Sequence, residues 1–334
     1  MPARSPAARL VLLSGVAALL VAGSLLLGPT PLRWQNIAAG EHADAGHEIF
    51  WRFRVPRTLL AACAGAGLAV GGVVFQALFR NPLAEPYTLG IASGASLAAA
   101  IGFLVGSAGP LGRVPLAALA FAGAAAAMLV VFLLGRLRAD RDPARLLLAG
   151  VCVAYLSSAG ILLVTFLANR AVTNDIVRWM MGSLVALEPQ PAGQVALVLI
   201  PTLALLLAGH RALDLLHFGD ELAATRGVAV GRTRWGVFVL VGLLTAVIVA
   251  HCGPIGFVGL MVPHMARALV GVRTRPLLIA AALCGAAFLA LCDGVARAVR
   301  PVELPVGVVT NILGAAFFFY LLATRDVLHG AVRR

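Results

Sequence analysis

The sequence contains no lysine, so all 26 of its basic residues are arginine. This absence excludes a phosphate-binding loop of the G-x-x-x-x-G-K-[ST] type and a Schiff-base lysine. Any ATP that drives this protein must therefore be bound by another chain. Charged residues of both signs are also scarce. They make up 12% of the 334 residues, roughly half of the share in an average soluble domain.

Apolar residues take the place of the missing charges: 61% of the chain is hydrophobic, and the mean hydropathy is +0.97. So few charges cannot cover a soluble globule of 34.4 kDa, which excludes an ordinary soluble enzyme and a disordered chain. All five cysteines lie within apolar runs, without a C-x-x-C pair, so we expect small buried side chains. We predict an all-α, membrane-embedded protein in which residues 1–334 form a single transmembrane domain.

Ten apolar runs are long enough, or nearly so, to cross a bilayer, which takes about 20 residues. They cover roughly residues 10–27, 56–79, 88–106, 114–135, 144–168, 192–209, 233–252, 257–271, 276–296 and 306–323. The third and eighth runs are short or rich in glycine. Small residues recur four apart, as in Gly67 with Gly71 and Gly90 with Gly94, which predicts close helix packing.

The arginines indicate how the chain is oriented. With ten spans and a cytoplasmic N-terminus, seventeen of them fall on the inner side and nine on the outer side. This bias has the sign that the positive-inside rule requires. We therefore expect a multi-pass protein of the cell inner membrane with both termini in the cytoplasm. Because the arginines stand at the ends of apolar runs, we expect membrane lipid around them and no nucleic-acid partner.

One predicted inner segment, residues 211–232, is longer than a plain linker requires. It alternates short apolar stretches with charges and is punctuated by Gly219 and Gly227. The pattern predicts two short helices at the cytoplasmic surface, with Gly227 permitting the bend. Two interpretations stay open: an amphipathic helix at the membrane interface, or a docking element for a cytoplasmic partner.

Within this segment ELAATRG, from Glu221 to Gly227, resembles the E-A-A-x-x-x-G pattern of ABC importer permeases and departs from it at Leu222. Four further motifs resemble those of one transporter family: RVPR from Arg54, NPLAEPYTLGIASGAS from Asn81, GPIGFVGLMVPH from Gly253 and ELPVGVVTNILGAAFF from Glu303. Together they resemble the FecCD family, the BtuC-type permeases that import iron–siderophores, haem and vitamin B12. The resemblance covers about residues 50–325.

This resemblance implies ten transmembrane helices per subunit and a homodimer with one path between the subunits. It also implies two ABC ATPase subunits on the cytoplasmic side and a periplasmic or lipoprotein substrate-binding protein on the other. We expect no cofactor and no metal in this chain, with ATP and magnesium on the ATPase. The expected cargo is a ferric siderophore or similar metal chelate, and cobalamin or haem is the alternative.

The resemblance also assigns roles to residues at both ends of the second span and at the outer end of the ninth. Arg54, Arg57 and Arg297 match arginines that receive carboxylates of the binding protein; lipid anchoring or internal pairing is the alternative. Asn81 and Leu83 match a cytoplasmic gate, and a simple polar helix end is the alternative.

Two larger sets of residues complete the expected site. The ATPase coupling set comprises Leu215, Gly219, Asp220, Glu221, Ala224 and Gly227. The translocation path, which is assigned more loosely, includes Ser157, Ser158, Thr165, Met180 and Met181. Ordinary helix packing is the alternative for each path residue.

Asp293 is the acid most deeply embedded in the apolar runs, and Arg297 follows four residues later. This spacing predicts a structural ion pair near the outer surface; a proton-coupling role is the alternative. An ion-coupled secondary transporter would need several such acids and an inverted repeat, and neither is evident. A membrane anchor for another protein is disfavoured by the 211–232 segment. For His251 and His264 we expect packing roles, and for Glu41, His42, Asp44, His47 and Glu48 a solvated loop face rather than a metal site.

Overall fold

The computed structural model describes residues 6–28, 45–106, 114–136, 143–184, 188–299 and 303–324. All regular structure within these ranges is helical, so the expected all-α class is confirmed. Of the polar residues predicted in the outer loop, Glu41, His42 and Asp44 lie outside the described ranges.

Thirteen α-helices of six residues or more follow one another in the described chain. They are α1 (Pro6–Ser24), α2 (Val55–Phe79), α3 (Ile91–Val105), α4 (Leu116–Arg136), α5 (Pro143–Leu167), α6 (Arg170–Met180), α7 (Gln190–Ala208), α8 (His210–Phe218), α9 (Asp220–Thr225), α10 (Val230–Cys252), α11 (Val258–Val270), α12 (Thr274–Ala298) and α13 (Val306–Thr324). A single α-helical turn (Ala45–Glu48) and a π-helical segment (Ile49–Arg54) run directly into α2, and a 3₁₀ turn (Pro86–Leu89) precedes α3.

Ten of these helices correspond to the ten predicted apolar runs. Eight are long and apolar enough to cross a bilayer, and the chain is therefore a multi-pass membrane protein. The other two, α3 with 15 residues and α11 with 13, are the third and eighth runs. At 1.5 Å per residue α11 extends only about 20 Å, which is short of a bilayer core of about 30 Å.

Helix α2 lies at the centre of the bundle, where it packs against α12, α11, α7 and α10. Glycine brings its backbone into direct contact with two of them. A Cβ atom added at Gly65 would lie 2.1 Å from the Gly285 carbonyl oxygen of α12, and one added at Gly72 would lie 1.8 Å from the Gly259 oxygen of α11. Such close approach provides the van der Waals contact that holds helices together where lipid supplies no hydrophobic drive.

Most of the glycines predicted to recur four apart also lie at helix contacts, but a Cβ atom added at Gly106, which pairs with Gly102 in the sequence, would meet nothing within 4 Å. Gly67 and Gly71 face side chains of α10, and a Cβ atom at Gly94 would lie 2.6 Å from the Gly123 carbonyl oxygen of α4. The prediction of close packing is therefore confirmed at these positions, although the tightest contacts occur elsewhere on α2.

The segment between α10 and α11, residues 253–257, is irregular but largely buried. Its backbone finds partners in other parts of the chain: Ile255 N donates to the Tyr87 hydroxyl at 2.9 Å. Just before it, the Cys252 carbonyl accepts from Ser183 N at 2.8 Å. Non-helical backbone is tolerated inside a membrane protein when it is buried and hydrogen-bonded in this way.

The prediction of buried cysteines is correct for Cys252 and Cys292, and two others are half-buried. It is wrong for Cys152, which is exposed on α5. One side of α5 packs against α3 and α4, but no described part of the chain covers the other side. Tyr155 is 76% exposed and Phe166 is 85% exposed on this helix.

Candidate functional site

Polar groups concentrate at the two ends of α2. The end at which α2 begins and α12 finishes is called here the Arg57 end, and the end at which α2 finishes is called the Arg80 end. The predicted docking arginines lie at the first, and the predicted gate and coupling residues lie at the second.

A network of charged side chains is centred on Asp293 at the Arg57 end. The Asp293 carboxylate is 0% exposed; Arg57 Nε approaches its Oδ1 at 2.8 Å and Arg297 Nε its Oδ2 at 3.0 Å. A second carboxylate, Glu303, accepts from Arg57 NH1 at 2.8 Å. The predicted Asp293–Arg297 pair is confirmed. The contribution of Arg57, which lies 236 positions from Asp293, was not predicted.

Arg54 and Arg297 also form hydrogen bonds with backbone carbonyls at the end of α1. Arg54 NH1 donates to the Leu25 carbonyl at 2.9 Å, and Arg297 NH2 donates to the Ser24 carbonyl at 3.2 Å. Both bonds reach carbonyls at the C-terminus of α1, where backbone acceptors have few helical partners; the Ser24 carbonyl also accepts from Leu27 N at 3.2 Å. Arg54 and Arg297 are each only 4% exposed. Contacts within the chain therefore occupy much of the hydrogen-bonding capacity of both guanidinium groups. The docking role of Arg54 and Arg297 remains a prediction.

Arg57 keeps more accessible surface than these two arginines. Its side chain is 12% exposed, and that of its partner Glu303 is 47% exposed. A partner that offers a carboxylate would therefore meet Arg57 and Glu303 together. In contrast, Arg52 at the same end forms an exposed pair with Glu48, with side-chain exposures of 73% and 63%.

The predicted gate residues form a tight turn at the Arg80 end. Helix α2 ends at Phe79, and Arg80 follows in the left-handed region with φ of 48°. Asn81 Oδ1 then accepts from Leu83 N at 2.9 Å, and Leu83 is 59% exposed. The helix ends before Pro82, since the residue preceding a proline avoids the helical region and Arg80 forms the left-handed cap. A polar helix end is therefore present, and the gate role stays a prediction.

Glu85 follows this turn and is half-buried. Its Oε2 finds no hydrogen-bond partner among the described residues. Burial raises the pKa of the Glu85 carboxyl to about 7. The loss of hydration penalises the charged form, and the neutral acid is favoured. The loop thus places a carboxyl that ionises near neutral pH next to the predicted gate.

The segment predicted as two short helices with a bend is confirmed as α8 and α9. The expectation that Gly227 permits the bend is wrong. The bend lies at Gly219, whose φ of 140° is a conformation that residues with a side chain rarely adopt. Gly227 follows α9, and its φ of 82° turns the chain towards α10.

Much of the α8–α9 element is accessible to a partner. The exposed members of the predicted coupling set are Glu221, Ala224 and Gly227. Leu215 is half-buried, whereas Phe218 is 71% exposed and Leu222 is 42% exposed. These two exposed apolar side chains were not predicted. A cleft of about 540 Å³ separates α9 from the first turn of α10.

Asp220 and Asp214 bind the element to the bundle. The Asp220 carboxylate accepts from Arg80 and, through both oxygens at 2.8 Å, from Arg234 NH2 of α10. Asp214 Oδ1 accepts from the backbone N of Thr274 at 2.9 Å and so caps the first turn of α12. The sequence showed these acids, but the partners lie too far along the chain for a local pattern to indicate them.

The predicted path residues do not share one environment. Ser158, Met180 and Met181 are exposed, whereas Ser157 is 5% exposed and Thr165 donates to the Ile161 carbonyl at 2.8 Å. A wall formed by α5 would therefore use the exposed side of this helix. Its exact lining remains a prediction.

Helix α6 was not predicted as a separate element. Asn169 caps it, since its side chain accepts from Val172 N at 3.0 Å. An asparagine directly before a helical pattern is a recognisable start signal, and this one was overlooked.

The described residues hold no group of three or more His, Cys, Asp or Glu side chains that could bind a metal ion. His264 contacts the ring of Phe317 edge-on, with centroids 5.9 Å apart, and His251 is half-buried on α10. Neither histidine forms part of a metal-ligand group in this part of the chain.

Comparison with known proteins agrees with this arrangement. The model of the FecCD transport family matches residues 16–324. The chain is 39% identical over 303 residues to the Fe(3+) dicitrate transport system permease protein FecD of Escherichia coli, covering 90% of this chain and 93% of that one. It is 37% identical over 311 residues to the hemin transport system permease protein HmuU of Yersinia pestis, covering 91% and 92%.

A third relative is the cobalamin import system permease protein BtuC of Halobacterium salinarum, which is 39% identical over 284 residues and covers 85% of this chain and 76% of that one. Among solved structures, an inward-facing conformation of a metal-chelate type ABC transporter superposes with a TM-score of 0.83 at 30% identity. The match covers 96% of this chain and all of that one.

Proposed function

The chain belongs to the FecCD transport family, and we propose that it forms half of the membrane-spanning permease of an ATP-driven importer for a ferric siderophore or similar metal chelate. Its relatives are named for ferric dicitrate, hemin and cobalamin, which share a chelated metal. Identity to the three is nearly equal and does not choose among them. Haem or cobalamin is therefore the alternative cargo.

The observation that carries this proposal is the exposed α8–α9 element at the Arg80 end. A chain without lysine has no phosphate-binding loop of the G-x-x-x-x-G-K-[ST] type, so the energy of ATP would enter through a contact with another protein. Glu221, Ala224 and the apolar Phe218 and Leu222 offer that contact. We propose that two ABC ATPase subunits bind ATP and magnesium and move this element when they close.

The arginine distribution supports an orientation with the Arg80 end in the cytoplasm. The inner segments predicted for ten spans hold seventeen of the 26 arginines, as the positive-inside rule requires. This orientation places both termini in the cytoplasm and the permease in the inner membrane. It also places α8–α9 where an ATPase can reach it.

The Arg57 end would then receive a periplasmic or lipoprotein substrate-binding protein. Arginine presents a planar fork that pairs with carboxylates in a bidentate manner. In the unbound permease Glu303 occupies part of the Arg57 fork. A carboxylate of the binding protein would replace or join Glu303, while Arg54 and Arg297 fix the position of α1 beneath.

This docking role can be tested by replacing Arg57 with glutamine and measuring the affinity for the binding protein. We expect weaker binding and a smaller dependence on salt, because one charged contact is lost. Arg52→Gln is the matched control, since it removes an exposed arginine from the same end. Equal affinities of both variants and the parent would exclude Arg57 from the docking surface.

A second copy of this chain would cover the exposed side of α5. Tyr155, Leu156 and Phe166 are 75–85% exposed there, and in a homodimer such a surface is available to line the path between subunits. The turns with Asn81 and Leu83 would then meet near the axis and act as the cytoplasmic gate.

Reconstitution tests the class and the cargo together. The permease is placed in vesicles with the ATPase and secreted binding protein encoded beside it, and uptake of radiolabelled ferric citrate, ferrichrome, hemin and cobalamin is measured. We expect uptake of an iron chelate that requires ATP. Uptake driven by an ion gradient without the ATPase would replace the proposal with a secondary transporter.

A glycine substitution tests the coupling role. Valine at position 227 is strained, because β-branched residues avoid a φ of 82°. Gly227→Val should therefore leave the ATPase bound and active while uptake per ATP falls. Gly236→Val is the control, because a Cβ atom at Gly236 meets no atom within 4 Å and no positive φ is involved. Normal uptake per ATP in Gly227→Val would count against the role.

A further inference from the structure

We propose that the ion pair between Arg80 and Asp220 is the link through which the α8–α9 element moves the gate turn formed by residues 81–84. This inference rests on the proposed function and assigns positioning roles to two residues within it. Arg80 carries no role in the predicted gate, and Asp220 is predicted only as a contact for the ATPase.

The first observation is that one guanidinium contacts both short helices. Arg80 donates through NH2 to the Asp220 carboxylate at the start of α9, and through Nε to the Leu216 carbonyl of α8 at 3.2 Å. The bend at Gly219 lies between these two acceptors. Because the guanidinium is a rigid planar fork, a displacement of either short helix is passed to the Arg80 side chain.

The second observation is how directly Arg80 connects to the turn. It precedes Asn81, whose backbone N donates to the Gln76 carbonyl at 3.2 Å and whose side chain accepts from Leu83 N. Arg80 is also one of two non-glycine residues with positive φ in the described chain. Such a conformation persists only where surrounding contacts fix it. A change in the Arg80 contacts therefore changes the direction in which the turn leaves α2.

The third observation is that a buried arginine of the bundle also binds Asp220. Arg234, only 4% exposed, holds both Asp220 oxygens at 2.8 Å and belongs to α10. The Asp220 carboxylate thus joins the inner ends of α10 and α2. When α9 moves, the Arg80 guanidinium either moves with the Asp220 carboxylate or separates from it. In both cases the contacts that hold the turn of residues 81–84 change.

The partial exposure of the Arg80–Asp220 ion pair distinguishes a positioning role from a purely structural one. The side chains of Arg80 and Asp220 are 40% and 34% exposed. An ion pair with that much contact with water contributes little to stability, but it still sets a geometry. Its loss should therefore leave the fold and the ATPase contact intact while it disturbs transmission.

The test measures the turn directly and needs no cargo. Leu83→Cys, at an exposed position, is labelled with a membrane-impermeant maleimide after the exposed Cys152 is replaced by serine. The permease–ATPase complex is held in nanodiscs, with or without ATP and vanadate. In the parent we expect the labelling rate to change with nucleotide. Arg80→Gln should abolish that change, Arg80→Lys should restore part of it, and Arg52→Gln should leave it intact.

Each other outcome has a defined meaning. A full nucleotide-dependent change in Arg80→Gln would overturn the inference, and so would loss of the ATPase from that complex. Asp220→Asn alone should abolish the same change, and a full nucleotide-dependent change in Asp220→Asn would overturn the inference. A parent complex that assembles but shows no response to ATP would overturn the proposed function itself.

Discussion

Replacing Asp293 with asparagine should destabilise the permease far more than replacing its neighbour Glu303 with glutamine. Asp293 is 0% exposed and contacts two guanidiniums at 2.8 and 3.0 Å. Its neutralisation leaves Arg297 buried without its carboxylate, and removing one partner of a buried ion pair costs about 3–5 kcal/mol. Glu303 is 47% exposed, and loss of an exposed pair costs at most about 1 kcal/mol.

Thermal unfolding in detergent micelles checks this difference. At about 2.1 cal/mol/K of unfolding entropy per residue, a loss of 3–5 kcal/mol in a chain of 334 residues lowers the Tm by roughly 4–7 °C. The same arithmetic gives about 1 °C for Glu303→Gln. Equal shifts in the two variants would refute the view that burial decides the value of these contacts.

The same variant separates a structural Asp293 from a proton-coupling one. If the carboxylate only pairs the two arginines, Asp293→Asn protein that is still folded should retain ATP-driven uptake. A variant that keeps its fold and its ATPase activity but loses uptake would favour the proton-coupling alternative.

Three further predictions use the same melting measurement. Gly65→Ala should cost about 1–3 kcal/mol, because the new Cβ atom would lie 2.1 Å from the Gly285 oxygen and α2 must separate from α12. Asp214→Ala should cost about 0.5–2 kcal/mol, because the backbone N of Thr274 loses its cap. Burial raises the pKa of the Glu85 carboxyl to about 7. The raised pKa means that the protonated carboxyl stabilises the folded protein below the ordinary pKa of glutamate, and this stabilisation is lost as pH rises to about 7. Glu85→Gln should therefore remove a fall in Tm that the parent shows between about pH 4.5 and pH 7, above which the Tm of the parent levels off.

The spans could be predicted because a bilayer imposes its requirement locally. About 20 consecutive apolar residues predict a membrane-spanning helix regardless of which helices it packs against. The two runs that are short or rich in glycine correspond to the two short helices, α3 and α11. The two short helices α8 and α9 could likewise be predicted from glycine and charge spacing, although the bend between them lies at Gly219 and not at the predicted Gly227.

The partners of the polar residues could not be predicted in this way. Arg57 and Asp293 are 236 positions apart, and Arg80 and Asp220 are 140 apart. Nothing in a local pattern states which helix ends will meet. The exposure of a side chain is equally hard to predict from a local pattern. Cys152 lies in an apolar run like the other cysteines, yet it is on the side of α5 that no described part of the chain covers.

Packing along α2 constrains where motion can occur. At Gly65 and Gly72 the backbone touches α12 and α11 so closely that no side chain fits between, and sliding would create clashes. At the Arg57 end, buried ion pairs tie α2 to α12 as well. These three helices should therefore move as one body. Motion is then expected beyond Phe79, where Arg80 and the exposed turn around Leu83 begin, and the proposed gate would open there without repacking of the centre of the bundle.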